Sequence, residues 1–93
     1  MGKFTVNISI RANKDLQEIG RSGDKASIKK IESIIADLYE HPETGVGRPE
    51  RLKFGLSGYW SRQINKKDRL IYKIEEMLIT VTVVSALGHN GDK

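Results

Sequence analysis

The hydrophobic period of this chain turns from helical to alternating at Pro42, and that change confines it to a layered α+β fold. From Ala12 to the proline, apolar residues recur at helical spacing. Ala12, Leu16 and Ile19 fall at i, i+4 and i+7; Ile28, Ile31, Ile35 and Leu38 then step by three, four and three, in a stripe widened by Ile34. Ser9 and Asp24 are the expected N-caps, Gly20 and Gly23 the expected end of the first helix, and Pro42 the stop of the second. Beyond Pro42, alternation takes over: Leu52, Phe54 and Leu56, then Tyr59 to Ile64, then Leu70, Tyr72 and Ile74, then the β-prone run from Leu78 to Val84. Ser57-Gly58, Asn65 to Asp68 and Glu75-Glu76 supply the turns, and Lys3 to Ile8 alternates ahead of the helices. The pattern predicts β-α-α-β-β-β, with two N-terminal helices packed on one face of a mostly antiparallel sheet and residues 1–93 forming a single domain.

Composition limits the chemistry. With 93 residues the chain supports one modest core, and 38% hydrophobic with 30% charged residues reads as globular, not disordered. The absence of cysteine excludes disulfides, a thiol nucleophile and Cys-based zinc sites. His41 and His89 lie far apart, so no metal site and no cofactor are expected. Residues 1–20 lack a charged-then-apolar leader, and Met77 to Val84 is far too short to span a membrane. A small, basic, cytoplasmic domain is the expectation.

The basic charge is concentrated. Residues 1–40 carry seven basic and six acidic side chains, whereas residues 48–73 carry eight basic against two acidic, a net +6 that exceeds the +4 of the whole chain. Strand alternation sends Leu52, Phe54, Leu56, Leu70, Tyr72 and Ile74 toward the helices. It then places Arg51, Lys53, Arg69 and Lys73 together on the opposite face. A solvated face explains such a cluster in an ordinary protein. A phosphate-binding surface explains why repelling cations are crowded together.

Two stretches are more specific. G-V-G-R-P-E-R-L-K at 45–53 is followed by L-S-G-Y-W-S-R at 56–62 and D-R-L-I-Y at 68–72, and the chain closes with V-V-S-A-L-G-H-N at 83–90. These residues resemble the YoeB/Txe toxins of the RelE superfamily, the mRNA-cleaving halves of bacterial toxin–antitoxin pairs. The resemblance is dense over 45–72, and element order and length agree elsewhere. It implies a RelE-like fold and an endoribonuclease that cuts mRNA in the ribosomal A site. It also implies a cognate small antitoxin, expected to be acidic, as inhibitory partner; a homodimer is compatible with it. The family's glutamate base falls on Glu50, its loop lysine on Lys53, its phosphate-binding arginine on Arg69 and its near-terminal histidine on His89. Two positions depart from the pattern: Gln63 stands where the family usually has a second arginine, and Asn90 where it tends to have an aromatic residue. Arg62 is no substitute for the missing arginine, because adjacent strand residues point to opposite faces.

The chemistry implied is attack of the RNA 2′-hydroxyl on its own phosphate, leaving a 2′,3′-cyclic phosphate. Glu50 would take the proton, Arg69 and Lys53 would relieve phosphorane charge, and His89 would protonate the leaving 5′-oxygen, with no metal needed. Arg48, Arg51, Gln63 and Asn90 are further candidate RNA contacts, and Tyr59, on the same side of its strand as Gln63, is a candidate stacking platform. Trp60 is read as core and His41 as a helix-end residue. Gln63 and Asn90 also sustain a rival reading: a weakened module that binds ribosome or antitoxin without cutting. A basic DNA-binding regulator finds no support, because the cations map to strands and not to a recognition helix.

Overall fold

Ser9 ties the start of the chain to its last strand. Strand β1 (Thr5–Ile8) runs straight into helix α1 (Ile10–Ser22); between them the Ser9 hydroxyl accepts from the Ala12 amide at 3.0 Å and donates to the Val84 carbonyl at 2.9 Å. The computed structural model describes residues 3–52 and 58–86. Helix α1 continues through Gly20 and ends at Gly23, whose φ of 79° supplies a left-handed C-cap. Only the second of the two glycines is therefore a terminator.

Asp24 caps helix α2 (Lys25–Leu38), accepting from the Ser27 hydroxyl at 2.7 Å and the Ser27 amide at 3.1 Å. These two bonds, the hydroxyl first, hold the Asp24 carboxyl below the usual aspartate range. The helix ends before Pro42 is reached, because the Glu40 and His41 amides both turn back onto the Asp37 carbonyl at 3.1 and 2.7 Å. Proline finds a helix already finished.

Among the described residues four more strands join the sheet: β2 (Glu50–Arg51), β3 (Tyr59–Gln63), β4 (Arg69–Glu75) and β5 (Thr80–Ser85). Their order is β1-β5-β4-β3-β2, with β1 parallel to β5 and the remaining pairs antiparallel. The class is the expected one, two helices against a mostly antiparallel sheet; β-α-α-β-β-β counts four strands, whereas the described residues form five, one for each of the five alternating runs. The run expected from Leu52 corresponds to β2, which pairs at Glu50–Arg51; Leu52 still donates its amide to the Tyr59 carbonyl at 3.0 Å. Phe54 and Leu56 lie outside the described residues. Strand β5 begins two residues later than expected, since Glu76–Leu78 form a 3-10 turn that closes at Ile79.

The core lies between the layers. Ala12, Ile19, Ile31, Ile34 and Leu38 from the helices meet Leu70, Tyr72, Val81 and Val83 from β4 and β5. Ile34 is fully buried, the centre of its stripe and not its margin, while Ile28 and Ile35 flank it half-buried. Each large aliphatic side chain buried this way contributes about 1.5–3 kcal/mol. At the end of the β3–β4 hairpin, Asn65 bonds the Ser27 hydroxyl at 2.8 Å and accepts from the Lys67 and Asp68 amides. That network docks the hairpin onto the start of α2.

Candidate functional site

Residues paired across neighbouring strands share a face. Glu50 pairs with Ser61 and Ser61 with Ile71; Gln63 pairs with Arg69, and Tyr59 with Lys73. Leu70 and Tyr72 take the alternate positions and face the helices. Glu50, Gln63, Arg69, Tyr59 and Lys73 therefore gather on the face opposite the two helices, drawn from three strands.

Arg69 Nη1 lies 4.0 Å from Glu50 Oε1, with the Glu50 side chain 66% exposed and that of Arg69 32%. The separation exceeds hydrogen-bond length, so the carboxylate and the guanidinium feel each other without being locked together. An exposed pair of this kind is worth at most about 1 kcal/mol. An anionic ligand can therefore take the arginine without a large cost. The Lys73 ammonium lies 5.5 Å from the Tyr59 ring centroid, which continues the cationic surface along the same face. Next to Glu50, the buried Ser61 hydroxyl has no hydrogen-bond partner among the described residues.

One expected member faces elsewhere. Arg51 pairs with Trp60, whose alternate on β4 is Tyr72, so its side chain belongs to the helix side of the sheet edge, not the open face. Its guanidinium sits 6.0 Å from the Trp60 ring. The cause is the start of β2 at Glu50, which gives the open face to the carboxylate and sends the adjacent arginine across. Trp60 packs half-buried against the core, as expected. Arg48 is exposed in the approach to β2, in a left-handed conformation with φ 55°. Lys53, His89 and Asn90 lie outside the described residues.

Behind the site lies a heavily bonded side chain whose facing follows from alternation but whose partners do not. Arg62, neighbour of Gln63, points to the helix side and is 0% exposed. Its five N–H groups are all engaged: Nε with the Tyr72 hydroxyl at 3.1 Å, Nη1 with Asp37 Oδ2 at 2.8 Å and the Val46 carbonyl at 3.1 Å, and Nη2 with the Thr44 carbonyl at 3.0 Å and the His41 carbonyl. The Tyr72 hydroxyl donates in turn to the Pro42 carbonyl at 2.7 Å. Burial raises the Tyr72 phenol above its ordinary range, against the opposing pull of Arg62. The two glycines of the G-V-G motif serve this cluster. A Cβ on Gly45 would lie 1.6 Å from Asp37 Oδ2, and one on Gly47 would press on the Arg62 side chain and the Gln63 carbonyl, each at 3.2 Å. The usable signal was an arginine on the apolar side of a strand, between Trp60 and Ile64, which requires a buried carboxylate.

Among the described residues no cluster of three His, Cys, Asp or Glu side chains could hold a metal, and no helix is long and apolar enough to cross a membrane.

The fold agrees with those of known proteins that the chain resembles. Toxin YoeB of Streptomyces coelicolor is 48% identical over 59 residues, which cover 62% of this chain and 70% of that protein. The fold superposes on the YoeB dimer from Staphylococcus aureus with a TM-score of 0.78 at 29% identity, covering 95% of this chain and 99% of that one. It superposes on a chain of the heterotetrameric YoeB-YefM toxin-antitoxin complex from the same organism with a TM-score of 0.75 at 30% identity, covering 94% of this chain and 98% of that one. A family model described as the YoeB-like toxin of bacterial type II toxin-antitoxin system matches residues 10–89. The chain belongs to that family of toxins.

Proposed function

We propose that this toxin is a ribosome-dependent endoribonuclease that cleaves mRNA in the A site by 2′-hydroxyl attack and so blocks translation. The observation that carries the reading is the placement of Glu50 beside Arg69 on a cationic face opposite the two helices. A carboxylate next to an arginine fork meets the two demands of the reaction: an acceptor for the 2′-hydroxyl proton and charge relief at the phosphorane. Lys53 and His89 enter through the family pattern, as second phosphate contact and as acid for the leaving oxygen. DNA, lacking the 2′-hydroxyl, is not a substrate. Tyr59 and Lys73 lie along the same face, where a single strand would run with a base stacked on the ring.

The partners follow from the same surface. A small acidic antitoxin complements the cationic face and blocks it; the YoeB-YefM complex of Staphylococcus aureus supports an antitoxin partner. A second reading keeps the fold and the partners but not the cutting. Gln63 favours it, because a neutral amide stands directly across from Arg69, where another cation would share the phosphorane charge. A translation reaction supplemented with purified ribosomes separates the two. New mRNA ends at A-site codons support the nuclease, whereas a toxin that sediments with ribosomes and leaves every transcript intact is the binding module.

A further inference from the structure

Strand β2 contains two residues, Glu50 and Arg51, both polar, and it lies at the edge of the sheet. Strand register is ordinarily fixed by a run of alternating apolar residues, and a two-residue polar strand has none. Yet the register of β2 decides the chemistry. A slip of one position would turn Glu50 toward the helices and give the open face to Arg51. The two residues of β2 therefore do not by themselves set the position of the carboxylate.

We propose that the buried cluster of Arg62, Asp37 and Tyr72 sets it, and that Arg62 is the positioning residue for Glu50. The cluster holds the incoming chain by four carbonyls, those of His41, Pro42, Thr44 and Val46. Asp37 Oδ2 takes the Val46 amide as well, at 3.2 Å. The next residue, Gly47, is then delivered to β3, where its carbonyl accepts the Gln63 amide at 2.7 Å. Three residues later Glu50 meets Ser61. Arg62 and Gln63 are adjacent on β3, so the guanidinium that grips the loop and the amide that receives it belong to one rigid segment. The loop cannot shift along β3 without breaking bonds to a fully buried cation, which is costly because that charge has no solvent to turn to.

This inference rests on the nuclease reading for its kinetic consequence and on the structure alone for its register consequence, so two measurements are paired. Arg62→Lys removes most of the grip but endangers the fold itself. Tyr72→Phe removes only the hydroxyl that links Arg62 to Pro42, and is the decisive variant. Hydrogen exchange is followed at the Gln63 and Leu52 amides, whose bonds to Gly47 and Tyr59 bracket the β2–β3 pairing, and at the Thr5 and Ser9 amides, which report the remote β1–β5 edge. The expected result is exchange at least about tenfold faster at Gln63 and Leu52 with Thr5 and Ser9 unchanged. RNA cleavage by the same variant loses about 10- to 100-fold in kcat with KM held within about twofold, since Arg69 and Lys73 stay in place. Unchanged exchange at Gln63 and Leu52 overturns the proposal, as does faster exchange with an unchanged kcat. If the wild-type protein cuts no RNA, the nuclease reading falls and the exchange result alone judges the role of Arg62 in register.

Discussion

Gln63 and Arg69 face each other across the β3–β4 ladder, on the side of the sheet where Glu50 approaches Arg69 to 4.0 Å. The amide occupies the place from which a second cation would reach the same phosphate. Gln63→Arg should raise the cleavage rate by about 10- to 100-fold, because a donor aimed at developing charge is typically worth about that much or more. It should also steepen the salt dependence of ribosome binding by about one unit of slope, one further phosphate contact. Single-turnover cleavage at several salt concentrations measures both. A rate unmoved by the added arginine would show that position 63 does not face the scissile phosphate.

The glycines give opposite predictions from one substitution. Gly20 lies inside α1 with nothing within 4 Å of an added Cβ, so Gly20→Ala should stabilise the protein by about 0.5–1 kcal/mol. Gly45 has φ 126° and its Cβ would fall 1.6 Å from Asp37 Oδ2, which would displace the carboxylate from Arg62. Gly45→Ala should cost at least about 2 kcal/mol. Urea denaturation midpoints of the two variants, taken side by side, test this.

Tyr72 predicts a loss of stability at high pH. Burial raises its phenol above the ordinary value of 10.0, so the folded state holds the proton more tightly than the unfolded chain. The stabilisation is fully present below that value and declines as pH rises through the folded-state pKa. The phenolate would also lose its donation to the Pro42 carbonyl. Stability measured from pH 9 upward should fall more steeply for the wild type than for Tyr72→Phe, and parallel curves would refute the assignment.

Much of this fold was legible in residue spacing. Ser9 and Asp24 announce their helices because a short polar side chain ahead of an apolar period has one good use, and the period change at Pro42 separates helices from sheet. The open face of β4 was readable too, since Arg69 and Lys73 alternate with buried Leu70 and Tyr72. The facing of Arg51 was not. Its alternation was counted from Leu52, whereas the strand is set from upstream, by a loop whose hold on Arg62 joins residues 16 to 21 positions apart. Periodicity reports which face a residue shares with its neighbours in sequence; it is silent on non-local anchors. The same limit hid Asp37, a helix residue 25 positions from the arginine it neutralises. Placing Glu50 beside Arg69 came from the family pattern, because no local rule brings the two-residue β2 to the end of β4.

The chemistry of the cut end tests the central claim most directly. Wild-type toxin is incubated with translating ribosomes on a defined mRNA, alongside Glu50→Gln, and the 3′ ends of the products are analysed. The account predicts a 2′,3′-cyclic phosphate, or the 3′-phosphate formed when it opens, from the wild type and intact mRNA from Glu50→Gln. A free 3′-hydroxyl, or cleavage undiminished in Glu50→Gln, would contradict it.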